Sequence, residues 1–285
     1  MSRIDDNPVC HPVCSRRGVW LSKAFMAILL PIFLSTGSQA AESSNIDASD
    51  PTRIYTFAGL GLKYTDYTNG ESMTELRAVG NMGLGESDML LFEFGYGNHS
   101  GNKVEGSNDT LTNGRFRWFH MFNMDYEIEK GYRGWATQID LQLAGKLKGT
   151  DGQNLLAMGV LPAFSLGGNW DLYLPVQVVG AWDKRFERFN GVGLGISPLL
   201  SVKVDWWEGG FVQFWPSYTR FVSGELDGEG SGNLDLHVGG NLSPTMIVTF
   251  SLQKNLDKDL RSFRRGRDTG LKNDWNAFLN LTTYF

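Results

Sequence analysis

The chain is 285 residues long with a formal net charge of −5, 35 glycines, 13% aromatic residues and two cysteines. The acidic balance argues against a nucleic acid as macromolecular partner, and beyond the leader no apolar run is long enough to cross a bilayer as a helix. Abundant glycine and aromatic residues with short turns fit an all-β protein.

Arg16, Arg17 and Lys23 precede an apolar stretch from Ala24 to Leu34, which is followed by Ser38-Gln39-Ala40. A basic region, a short apolar core and small residues before a cleavage point describe a secretory signal over residues 1–40, cut after Ala40. The core is too short for a membrane helix. Ser15-Arg16-Arg17 looks like a twin-arginine signal, but that route carries folded cargo and a barrel crosses unfolded, so an ordinary secretory leader is expected. Cys10 and Cys14 both fall inside it, so the mature chain has no thiol, disulfide or cysteine metal site. Removing the leader moves the formal net charge from −5 to −7.

Residues 41–52 (AESSNIDASDPT) are small, polar and aperiodic, and are expected to form a flexible N-terminal segment. From 53 to 285 the chain reads as one domain of period-two stretches separated by turns. The first, 53–65, sets Leu60, Leu62 and Tyr64 on one face against Arg53 and Lys63; an Asn69-Gly70 turn returns it through 71–84. A third strand, 89–98, alternates Leu90, Phe92, Phe94 and Tyr96 with Glu93, Gly95 and Gly97. The fourth sets Phe116, Trp118 and Phe122 against Arg115 and Arg117, and the fifth alternates Trp135, Ile139, Leu141 and Leu143 with Gln138, Asp140, Gln142 and Lys146. Strands over 154–166 and 171–182 follow. Pro198 invites a break in 190–207, but Val192, Leu194, Ile196, Leu200, Val202 and Val204 keep one parity, so a single long eighth strand is expected. Strands at 211–221, 233–242 and 246–253 and the closing 273–285 complete twelve.

The closing strand places Trp275, Ala277, Leu279, Leu281, Thr283 and Phe285 on one face and Asn276, Asn280, Thr282 and Tyr284 on the other. A transmembrane barrel needs a last strand of this kind to pair with the first, apolar toward lipid and polar toward the lumen. An even count returns both termini to one side, and short connections alternate with longer ones, as bacterial single-chain barrels require. The fold class is therefore all-β, a transmembrane antiparallel up-and-down barrel of about twelve strands.

Signal, alternation and terminal aromatic together resemble the Gram-negative outer-membrane β-barrels, across the whole mature chain and without matching a subfamily. The resemblance implies an outer-membrane location, a surround of lipid and lipopolysaccharide, and recognition of the closing strand and Phe285 by the barrel-assembly machinery. Twelve-stranded members include nucleoside and acidic-sugar channels and the outer-membrane phospholipase, so the resemblance carries fold alone.

By parity the lumen receives Arg53, Lys63, Arg77, Arg115, Arg117, Lys146 and Lys203 with Glu75, Glu93, Asp140, Asp171, Asp205 and Asp235, and with the aromatics Tyr55, Phe57, Phe119, Tyr173 and Trp215. Buried charges need water or a partner, and twelve strands lie between self-filled and open barrels. The expected function is a channel for passive diffusion of small polar or anionic solutes, with no catalysis, cofactor or metal; inward glycines at 59, 61, 95, 97, 191, 193, 195 and 239 are read as leaving space for it. A non-conducting structural or adhesive outer-membrane barrel, its lumen plugged by salt bridges, is one alternative. A lipid hydrolase is another, resting on His99-Ser100; neighbours in a strand point to opposite faces, which separates that serine from its base. Gly191-x-Gly-x-Gly195 is followed by no helix and is not a phosphate loop. The basic stretch 255–272 is a candidate for binding lipopolysaccharide phosphates, and Trp118, Trp135, Trp182, Trp206 and Trp275 are expected in interfacial girdles.

Overall fold

The structure, a computed structural model, describes residues 46–67, 70, 72–99, 110–144, 153–256 and 273–285. Fourteen strand segments form one antiparallel sheet: β1 (Phe57–Tyr67), β2 (Ser72–Gly83), β3 (Asp88–His99), β4 (Thr110–Phe122), β5 (Gly131–Ala144), β6 (Asn154–Gly167), β7 (Trp170–Tyr173), β8 (Val176–Trp182), β9 (Phe189–Ile196), β10 (Leu199–Val204), β11 (Gly210–Phe221), β12 (Gly230–Ser243), β13 (Met246–Asn255) and β14 (Asn273–Tyr284). β14 pairs with β1, from Tyr284 against Phe57 to Asn276 against Thr65, and closes the barrel. Without that pairing, two rows of backbone amides and carbonyls would face hydrocarbon unbonded.

The fourteen segments make twelve staves, because β7–β8 and β9–β10 are each one stave broken near a proline. Pro198 was expected to lie inside a continuous strand, and the stave does continue past it. The ladder to β11 does not: Ile196 pairs with Tyr218 and Leu200 with Phe214, leaving Pro198 and Pro216 in an unpaired interval. Neither proline has an amide hydrogen to donate. Side chains bridge the interval instead, the Trp215 indole Nε1 donating to the Ser197 carbonyl at 3.0 Å.

Outward residues follow the expected parity, with Leu60 at 53% and Leu62 at 60% exposure while Thr65 on the inward face of the same strand is fully buried. In solution such a surface would be a liability; against lipid tails it is the stable arrangement. Aromatic pairs ring both rims. Tyr64–Trp275 and Trp182–Phe189 mark the loop end, and Phe122–Trp135, Trp118–His120 and Trp206–Trp207 the turn end.

Two expectations are corrected inside the barrel. Residues 46–52, expected to be flexible, are folded into it: Ser49, Asp50 and Thr52 are buried, and β1 begins at Phe57. Small polar residues that bury too little apolar surface to order themselves are held here by partners on the wall. The Ser49 carbonyl accepts from Ser201 Oγ and Gln213 Nε2, both at 2.8 Å, and the Thr52 carbonyl from Tyr126 Oη at 3.0 Å. The inward glycines do not leave open space either. A Cβ on Gly95 would lie 2.3 Å from Thr112 Oγ1 and 2.6 Å from Glu75 Oε1, and one on Gly61 2.5 Å from the Phe278 ring. Gly95 thus admits Thr112 and Glu75, and Gly61 the Leu279 carbonyl and the Phe278 ring, from neighbouring strands.

Candidate functional site

The turn end of the lumen is closed on one side. Met89, Phe119, Met121, Ala136, Leu161, Ala163, Tyr173 and Leu199, from six adjacent staves, form a buried apolar cluster inside the barrel. Residues 46–56 lie against it. Arg133 fixes them, with Nη2 2.8 Å from Asp50 Oδ2 and Nη1 3.2 Å from Asp171 Oδ1. Parity counted back from Trp135 aims Arg133 at lipid, and sequence reasoning did not select it. The register shifts between Tyr132 and Gly134, which has φ +132°, so Arg133 is an extra residue in a bulge and turns inward. The glycine at 134 was the available signal.

Lys203 Nζ, at 2.7 Å from Asp47 Oδ2, is a second tether. Burial alone would raise the Asp47 carboxyl; hydrogen bonds from Lys203 and Ser49 and the charges of Lys203 and Arg53 outweigh it and hold the group below the usual carboxylate range. Burial also raises the Tyr126 hydroxyl.

Across the barrel a cavity of about 810 Å³ runs beside this filled region. Phe211, Gln213, Trp215, Ser217, Thr219 and Phe221 line it from β11, Ser231, Asn233, Asp235 and His237 from β12, Ile247, Thr249, Ser251 and Gln253 from β13, and Asn276, Phe278, Asn280, Thr282 and Tyr284 from β14. On β11 this is the whole inward row from Phe211 to Phe221, whereas on β12 the lining runs from the loop end only as far as His237. Among the expected site residues Lys63, Arg77, Glu93, Arg115, Arg117 and Trp215 line the same cavity.

Those charges form a ladder over β1–β5. Glu75, fully buried, takes Thr112 Oγ1 and lies 3.4 Å from Arg77 Nη2 and 4.0 Å from Lys63 Nζ. Arg77 also reaches Glu93, which accepts from Asn113 Nδ2 at 2.9 Å. Higher in the series Arg115 grips Asp140 with Nε at 2.9 Å and Nη2 at 2.5 Å, and Gln142 adds a bond at 3.0 Å. Arg117 comes only within 3.6 Å of the same carboxylate. Arg115, Arg117, Gln177, Ser197 and Trp215 line both the large cavity and a second one of about 60 Å³, where Phe119, Asp140 and Pro51 also contribute.

The remaining expected residues lie elsewhere. Arg53 precedes β1 and sits near Asp47 and Asp50, 4.5 Å above the Tyr126 ring. Lys203 is at the turn end with Asp47. Asp205 is corrected: β10 ends at Val204, and the exposed Asp205 accepts from Asn169 in the adjoining turn. Lys146, Ser100, residues 257–272 and the 1–40 leader lie outside the described residues. His99 ends β3 opposite Met73.

With the geometry in hand, comparison places the architecture. No protein-family model matches the chain, and no curated protein matches it. Among solved structures, the COG4313 outer membrane channel from Pseudomonas putida F1 aligns with a TM-score of 0.55 at 10% identity, over 85% of this chain and 100% of that one. The NanC porin aligns with a TM-score of 0.52 at 5% identity, over 81% of this chain and 100% of that one. The fold is that of outer-membrane barrels. At such identities the likeness speaks for the backbone, and function has to be argued from the lumen.

Proposed function

We propose that this barrel is an outer-membrane channel through which small polar or anionic solutes diffuse passively. The supporting observation is the cavity of about 810 Å³ lined by inward residues of β11–β14. A barrel built only to be rigid would fill those rows with apolar side chains throughout, as the turn end of β3–β7 and β10 does, but here Phe211, Trp215, Phe221, Ile247 and Phe278 share them with many polar groups. The amides and hydroxyls among them replace the hydration of a polar solute, while the cations of β1–β5 across from them favour negative charge. In this reading residues 1–40 direct export with cleavage near Ala40. Lipid and lipopolysaccharide surround the wall, and the closing strand ending in Phe285 is what the assembly machinery grips.

The test is single-channel recording of the purified protein in a planar bilayer, with the reversal potential taken across a KCl gradient. Discrete steps with a reversal potential on the chloride side are expected. A folded barrel that stays silent overturns the proposal.

A further inference from the structure

Where the two cavities meet, the wall carries an arginine with a buried donor that has no hydrogen-bond partner. Asp140 Oδ2 already accepts from Arg115 and Gln142, so Arg117 Nε makes only an ion pair to it at 3.6 Å and is buried without a hydrogen-bond partner. Its guanidinium lies 5.7 Å from the centroid of Phe119 and 6.0 Å from that of Trp215. On Trp215 lies a second orphan: the His237 ring is 6.1 Å from the indole, and His237 Nε2 is buried without a partner.

Trp215 itself is held. Its Nε1 donates to the Ser197 carbonyl at 3.0 Å and contacts Ser197 Oγ at 3.2 Å, in the interval where Pro198 and Pro216 interrupt the ladder. The indole face is thus fixed before any ligand arrives, which lowers the ordering cost of binding. A guanidinium fork matches a carboxylate in two parallel bonds. Flanking ring faces match a flat apolar group.

We propose that Arg117, Trp215, Phe119 and His237 form a binding subsite for a small aromatic carboxylate, the carboxylate on Arg117 and the ring against Trp215. The subsite deepens the channel reading by naming a solute class, and rests on the lumen being reachable from water. His237 Nε2 supplies the second polar contact to the bound acid.

Benzoate is the probe, with acetate and benzamide as controls lacking the ring or the charge. Equilibrium dialysis of labelled benzoate against the full-chain protein purified in detergent reads the site without requiring conductance. Saturable binding is expected, at least tenfold tighter than for acetate or benzamide and weakened at least tenfold in Arg117→Gln. Arg117→Lys keeps the charge and loses the fork, so an intermediate affinity is expected from it even if Arg117→Gln does not assemble. Absence of saturable benzoate binding, equal binding of all three probes, or unchanged binding in both variants overturns the subsite. KCl steps in the bilayer separate the two claims. Their absence defeats the channel while dialysis still judges the subsite, and their presence without benzoate binding defeats the subsite alone.

Discussion

The two sides of this lumen solve the same geometric problem differently. A barrel of twelve staves is wider than the eight-stranded barrels whose interior is filled by side chains alone. Over β3–β7 and β10, at the turn end, the gap is closed by large apolar residues and by residues 46–56, whose backbone and carboxylates are met by Arg133, Ser201, Gln213 and Lys203. Over β11–β14 that segment touches the wall at Gln213 and Tyr284, and the inward rows mix amides and hydroxyls with Phe211, Trp215, Phe221, Ile247 and Phe278 around a cavity. The contrast teaches that rigidity is concentrated at the turn end of β3–β7 and β10, while a cavity remains along the rest of the lumen.

The largest effect should come from Arg133→Ala. It removes the cation from two carboxylates, Asp50 and Asp171, inside the filled side. Breaking a buried pair by deleting one partner costs about 3–5 kcal/mol. The loss is measured as a shift of the urea unfolding midpoint in lipid vesicles; an unchanged midpoint would show that residues 46–56 contribute nothing to stability.

Leu199→Ala sharpens the comparison next. Leu199 is buried in the apolar cluster, and truncation there should cost about 2–5 kcal/mol, set by how far the cluster collapses. Thr249→Ala, on the cavity side, should change stability by about 0.5 kcal/mol or less. Equal costs would mean that the two sides are packed alike.

Gly95→Ala should cost about 1–3 kcal/mol through overpacking. Its Cβ would meet Thr112 Oγ1 at 2.3 Å and Asn113 Oδ1 at 2.4 Å. Here the reading of the sequence failed instructively. Alternation is a local property, so strand number, closure by β14 and the faces of Lys63, Arg77, Arg115 and Arg117 were legible from period two. What occupies the space above a glycine depends on the strand beside it, a register that no single strand encodes. Residues 46–52 were illegible for a related reason: their order comes from Arg133 and Gln213, far along the chain. Arg133 in turn faces them only because a bulge at Gly134 shifts the parity. Asp205 was misplaced because parity continues on paper after a strand has ended in a turn.

The smallest expected effect is a pH dependence at the Asp47 tether. Its carboxyl is held below the usual range when folded, and an exposed aspartate titrates near pH 4. A depressed folded pKa adds stability that is fully present above the unfolded value and is lost as pH falls through the folded one. Asp47→Asn should therefore differ from wild type by a constant amount between pH 7 and about pH 5, and the two unfolding midpoints should converge below about pH 4. Because Lys203 is half exposed, solvent screening keeps the difference small. A gap that instead opens as pH falls would mean that Asp47 is destabilised by its burial and that Lys203 does not hold it.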